Sequence, residues 1–187
     1  LNLADHIIIG GGMAYTFFKA LGGHIGNSLC ETERLDTCLE ILNKAKTKGV
    51  QIHLPIDAIA ADRFAADANT QIEPSNAISE DRMGLDIGPK AIADFEAVLL
   101  QSKTILWNGP MGVFEMPAFE NGTKSMALAV ASATKNGAFS LIGGGDSAAA
   151  VQKFELSSQV SYVSTGGGAL LEYFEGKVLP GVEALEA

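Results

Sequence analysis

A chain of 187 residues, 47% apolar and 19% charged, is long enough to bury a sizeable core as one domain. Its net charge of −9 speaks against nucleic acid or an anionic membrane as partner, since both attract basic surfaces. Cys30 and Cys38 match no metal or redox spacing, and no apolar run of membrane length or signal-peptide pattern is read in the chain, so a reduced, cytoplasmic setting is expected.

Leu1-Asn2-Leu3-Ala4-Asp5 reads as the last turn of a helix leading into a strand at 6–9. With no initiator methionine, the expectation is a fragment cut from a longer protein inside an element, a trimmed terminus being the alternative. Gly10-Gly11-Gly12 follows, then an amphipathic helix over about 33–48. There Leu35, Cys38, Leu39, Leu42 and Ala45 recur at three and four, and Gly49 supplies the stop. Apolar runs at 50–54 and 56–60 read as strands, and the polar stretch 62–85, broken by Pro74, as a long excursion with short hairpin pieces. Pro89 opens a helix over 89–101 with Ile92, Phe95, Val98 and Leu99 facing inward. A strand at 103–107 runs into Asn108-Gly109-Pro110-Met111-Gly112-Val113-Phe114-Glu115, a glycine-rich bend, and a helix at 121–134 follows. Strands at 138–142 and 160–163 lead into Gly143-Gly144-Gly145 and Gly166-Gly167-Gly168; the second run opens a tail helix that Gly176, Pro180 and Gly181 break. Strand–helix alternation without a compositional break gives one α/β domain over 1–187: a doubly wound, mostly parallel sheet of about six strands with helices on both faces.

All four glycine segments fall at carboxyl ends of strands, where doubly wound sheets bind ligands. Glycine lets backbone approach a ligand closely, and a helix start offers unpaired N–H groups, so the expected ligand carries phosphates. No Gly-x-x-x-x-Gly-Lys-Ser/Thr occurs, whereas Gly143 to Ala148 matches the loose dinucleotide pattern. Asp146 inside that turn would repel a pyrophosphate unless Mg²⁺ bridges the carboxylate to the phosphates; a helix N-cap is its other reading. Ser147 reads either as a phosphate contact or as an ordinary first-turn serine, Asn108 as a phosphate donor or a turn cap, and Glu115 as a ribose acceptor or solvated surface. Met83, Leu85, Phe114 and Phe64 are candidates for an adenine wall and otherwise core; Trp107 is expected in the core beneath the site. His6, His24 and His53 form no ligand spacing. No Lys or Arg lies within any glycine segment, although positive charge near a transferring phosphoryl group is worth ~10³ to 10⁵ in rate.

Ile7 to Ala14, Leu85-Asp86-Ile87-Gly88-Pro89, Trp107 to Glu115, Ile142 to Ala148 and Ser164 to Ala169 closely resemble, in order and spacing, the phosphoglycerate kinase family. The ending from Leu171-Glu172 to Val182 fits as well. The resemblance spans essentially the whole chain and implies the C-terminal, nucleotide-binding half of that enzyme, a Rossmann-like domain taking MgADP or MgATP. The family reversibly transfers a phosphoryl group between 1,3-bisphosphoglycerate and ADP in glycolysis. On matching positions, Gly11, Gly12, Met83, Gly84 and Leu85 would line the adenine cleft, with Gly109 and Phe114 beside them and Glu115 on the ribose. Asn108, Gly144, Gly145 and Ser147 would contact phosphates, Asp146 would hold Mg²⁺, and Gly166, Gly167 and Gly168 would present N–H groups to the moving phosphoryl group. Ser147 stands where the family usually has threonine. The family's glycine- and lysine-bearing segment and its N-terminal half, with the arginine- and histidine-rich 3-phosphoglycerate site, do not occur in this sequence. The expectation is therefore a chain that binds MgADP weakly without turnover, from a monomeric parent. A dinucleotide-binding module and a non-catalytic remnant are the rivals.

Overall fold

Strands and helices alternate along almost the whole of the computed structural model, which describes residues 1–179 and 183. Residues 180–182 of the expected ending lie outside the described residues. Residues 1–5 carry no helix, contrary to expectation, because a segment this short offers at most one i→i−4 bond against the cost of nucleation. The first unit is β1 (His6–Ile8), α1 (Gly11–Ala20), β2 (His24–Ile25), α2 (Leu35–Lys48) and β3 (Gln51–His53). Then come β4 (Asp57–Ala61), β5 (Thr70–Pro74), β6 (Ala77–Ile78) and β7 (Met83–Ile87). The last part runs α3 (Pro89–Gln101), β8 (Thr104–Asn108), α4 (Asn121–Lys135), β9 (Phe139–Gly143), α5 (Gly145–Lys153), β10 (Tyr162–Ser164) and α6 (Gly167–Phe174).

Two parallel ladders carry the architecture: β1 with β3, and β8–β9–β10 in that order. They meet where the Gly11 N–H donates to the Met111 carbonyl at 3.1 Å, and Ile8 packs on the cluster that contains Trp107. That bond brings the turn after β1 and the turn after β8 together, at the carboxyl ends of parallel strands where such folds bind ligands. The strand expected at 56–60 is β4, and it does not join the parallel ladders: it pairs antiparallel with β5 and β7. An apolar run reads the same in either direction; the hairpin after it decides, and Asp62 closes that loop by accepting the Asn69 backbone N–H at 3.0 Å and its Nδ2 at 2.7 Å. The excursion over 62–85 thus holds more strand than its polarity announces.

Helix ends are closed both locally and from a distance. In α2, Gly49 takes φ 74°, and the Gly49 and Val50 N–H groups bond back to the Lys46 and Ala45 carbonyls. The start of α3 has no side-chain cap of its own. Asp57, buried on β4, reaches across and accepts the Lys90 and Ala91 N–H groups at 3.1 and 2.8 Å. The larger core gathers Phe95 of α3, Met126 and Val130 of α4, Val151 of α5, and Ile105, Trp107 and Ile142 of the ladder. A second core packs Tyr15, Phe17 and Phe18 of α1 and Cys38 of α2 against Ala58 and Ala60 of β4. The opposite face of the β8–β9–β10 ladder presents Leu106, Phe139 and Tyr162, 41%, 53% and 61% exposed.

Candidate functional site

The four glycine segments touch one another at the carboxyl ends of β1, β8, β9 and β10. Gly10 caps α1, and Gly11 takes φ +60° with the Pro110 carbonyl oxygen 2.9 Å from where a Cβ would stand. No side chain fits between those two backbones. At the end of β8, Gly109 takes φ +97° and its N–H donates to Ser147 Oγ at 2.7 Å, joining this turn to the start of α5. Beneath it, the Trp107 indole N–H donates to the Gly109 carbonyl at 2.6 Å, and Trp107 is in the core as its sequence context predicts. Gly144, at φ +95°, caps α5, and its N–H bonds to the Ser164 carbonyl at 3.0 Å. Gly167 lies so close that its Cβ would stand 2.6 Å from Gly144 Cα, and the Asn108 amide borders both glycines. Three helices, α1, α5 and α6, therefore begin on one rim, each with N–H groups that lack intrahelical partners.

The predicted site residues divide by exposure. Asn108, Glu115, Gly145, Asp146, Gly166 and Gly168 are exposed at the rim, and Gly11, Gly12, Met83, Gly84, Gly109, Gly144 and Gly167 are half-buried. Leu85 and Phe114 are buried, so of the apolar candidates only Met83 keeps an open edge near the rim. Phe64 is 59% exposed in the loop between β4 and β5. Ser147 is fully buried, and its hydroxyl holds Gly109. The cap of α5 is Gly144, so Asp146 sits in the first turn without capping it. Among the described residues its carboxylate makes no hydrogen bond or ion pair, and no three His, Cys, Asp or Glu side chains gather as a metal cluster.

Four residues that the sequence did not single out brace this rim. Asp86 on β7 is 3% exposed; its Oδ2 accepts the Gly122 N–H of α4 at 2.7 Å and its Oδ1 the Ile87 N–H at 2.9 Å. Burial pushes its carboxyl up to about 7, against the pull of those two N–H groups. Thr123 Oγ1 accepts from Met111 and Gly112 at 3.0 and 3.2 Å. Tyr15 is buried with its hydroxyl against Gly84, and burial, with the Asp86 charge, pushes its ionisation upward. Lys153 Nζ donates to the Phe114 carbonyl and to Glu120 Oε2, both at 2.6 Å. Only Asp86 left a sequence signal, an acid inside the apolar run Leu85-Asp86-Ile87.

Parallel strands that end in mutually touching glycine turns, with helices rising from three of them, make this a mixed α/β protein of the Rossmann-like kind. The family model for phosphoglycerate kinase matches residues 1–177, and the chain belongs to that family. It is 55% identical over its full length to a phosphoglycerate kinase of Porphyromonas gingivalis, of which it covers 44%. It is 57% identical over 97% of its length to one from Mycobacterium avium, covering 43% of that chain. The solved phosphoglycerate kinase of Coxiella burnetii superposes with a TM-score of 0.93 at 46% identity, over 99% of this chain and 47% of that one. That of Pyrococcus horikoshii gives 0.79 at 29% identity, over 98% and 45%. The chain thus spans less than half the length of the relatives it matches. Among the described residues, no helix is long and apolar enough to cross a membrane.

Proposed function

We propose that this chain is the C-terminal, nucleotide-binding half of a cytoplasmic phosphoglycerate kinase, which takes MgADP or MgATP. The observation that carries the reading is the convergence of the Gly11, Gly109, Gly144 and Gly167 turns on one rim. Amides at the starts of α5 and α6, with the positive ends of both helix dipoles, favour the phosphates, and the Asn108 amide adds donors beside them. Gly11, Gly12, Met83 and Gly84 offer backbone and one thioether to the adenine; Leu85 and Phe114 support that surface from below. Glu115 is exposed for the ribose hydroxyls.

Mg²⁺ fits the residues present: one exposed carboxylate, Asp146, without a partner among the described residues, stands in the first turn of α5, and Mg²⁺ commonly takes one protein carboxylate plus substrate phosphates. Bound there, it would offset charge between the terminal phosphates. Ser147 acts through Gly109, holding the turn that carries Asn108 against α5. Gly166, Gly167 and Gly168 are the part of the rim that faces the transferred group, where N–H donors stabilise equatorial charge.

The 3-phosphoglycerate site belongs to the remainder of the parent enzyme, and no Lys or Arg falls within the four turns. The 187 residues alone are accordingly expected to bind MgADP weakly and to make no ATP from 1,3-bisphosphoglycerate. Titration calorimetry checks the binding: Asp146→Ala should weaken MgADP and leave Mg-free ADP unchanged. Equal affinity of wild type and variant in Mg²⁺, or NADH bound in preference to MgADP, would refute the reading.

A further inference from the structure

The acid buried between β7 and α4 takes no part in the roles assigned above, yet it lies against the strand, the Gly112 turn and the helix start beside the adenine side of the rim. Asp86 follows Met83-Gly84-Leu85 on the same strand, and its Oδ2 holds the Gly122 amide at the start of α4. A Cβ on Gly112 would stand 2.3 Å from Oδ1, and one on Gly122 2.2 Å, so the carboxylate fills the space between the strand, the turn and the helix. The same three pieces are tied beside it by Val113 N–H to the Leu85 carbonyl at 2.9 Å and by Thr123 to the Met111 and Gly112 amides. We propose that Asp86 is a positioning residue: its ionised carboxylate clasps α4 and the Gly112 turn onto β7 and so fixes the width of the adenine cleft.

Both carboxylate oxygens face N–H donors. A proton on either one turns an acceptor towards a donor and opens one side of the clasp, so the cleft loosens on acidification. Burial with no cation beside it brings that protonation to about pH 7. Groups from three further elements face it. From α1 comes Tyr15, whose ionisation is pushed upward; β4 places Ile59 opposite, with Asp57 turned to the start of α3. From α4 come Gly122 and Thr123, with Glu120 already paired to Lys153. His6, His24 and His53 lie on β1, β2 and β3 and are not hydrogen-bonded to any of these groups among the described residues.

This inference rests on the nucleotide reading, and adenosine is the probe that keeps the two apart, since it carries no group that titrates between about pH 6 and 8. Calorimetry on the full chain should show wild type binding adenosine about fivefold more tightly at pH 8 than at pH 6, the worth of one hydrogen bond. Asp86→Asn should bind at the weaker level and lose the pH dependence. Thr123→Val, which cuts a neighbouring tie without a titratable group, should weaken binding while keeping the dependence. An Asp86→Asn variant with wild-type affinity, or a flat wild-type profile, overturns the proposal. Should wild type bind no adenosine, amide spectra of the ligand-free chain decide, while MgADP titration tests the nucleotide reading separately. Gly122, Ile87, Gly84 and Val113 must shift together with one midpoint; movement confined to Gly122 and Ile87 overturns the clasp.

Discussion

Exchanging Gly167 and Gly168 separately for alanine should give opposite results, although the two residues are neighbours in α6. Both lie in a helical turn with negative φ, where alanine is favoured over glycine by about 0.5–1 kcal/mol. A methyl on Gly168 meets nothing within 4 Å, so that gain stands alone. A methyl on Gly167 would stand 2.6 Å from Gly144 Cα and 3.1 Å from its N, and backbone cannot swing aside as a flexible side chain does. Overpacking of this kind costs about 1–3 kcal/mol. The difference between the variants should be roughly 2 kcal/mol, and about 4–8 °C in melting temperature for a chain of this size. Thermal unfolding followed by circular dichroism reads it directly, and MgADP calorimetry should show weakened binding for Gly167→Ala alone. Variants that melt together and bind alike would mean that α5 and α6 do not meet through bare backbone.

The pH dependence of stability follows from Asp86. Its carboxyl ionises near 3.8 when unfolded and at about 7 when folded, so between those values the folded chain holds a proton that the unfolded chain has lost. That contribution is full below about pH 4 and is lost as pH rises to 7; Asp86→Asn should gain on wild type in urea denaturation across that window, and parallel profiles would contradict the assignment. Lys153→Met, which removes the bond to the Phe114 carbonyl and the ion pair with Glu120, should cost about 1 kcal/mol in the same assay. The cost should shrink in high salt because both partners are partly exposed, and an effect independent of salt would assign it to packing. Leu106, Phe139 and Tyr162 on the open ladder face should drive concentration-dependent association of the isolated chain. Sedimentation velocity should show Leu106→Lys with Tyr162→Glu abolishing it, and a monodisperse wild type would argue against an adhesive face.

What the sequence made legible was whatever depends on short-range pattern. The helix expected at 89–101 is observed at Pro89–Gln101, because proline at the first position and apolar spacing settle it locally. The one expected at 121–134 runs Asn121–Lys135. The glycine turns were likewise visible, since positive φ at Gly11, Gly109 and Gly144 leaves its mark as the residue itself. β7 stayed hidden inside the excursion: Gly84 must be small because the Tyr15 hydroxyl lies on it, and Asp86 must be polar because it meets the Gly122 amide, so the apolar alternation of a strand is broken. Those demands come from α1 and α4, distant in sequence. Ser147 shows the same limit, for nothing in the sequence links its hydroxyl to the Gly109 amide, 38 residues away.

Trp107 is the sole tryptophan of the chain, and its indole nitrogen is anchored to the Gly109 carbonyl directly below the rim. Its emission therefore reports on that turn and on the core packed around the ring, a built-in fluorophore that needs no label. Because that turn is also fastened to α5 through Ser147, a displacement of either helix or loop should alter the indole's surroundings. Rapid-mixing optical traces could then time each encounter at the rim in the native chain.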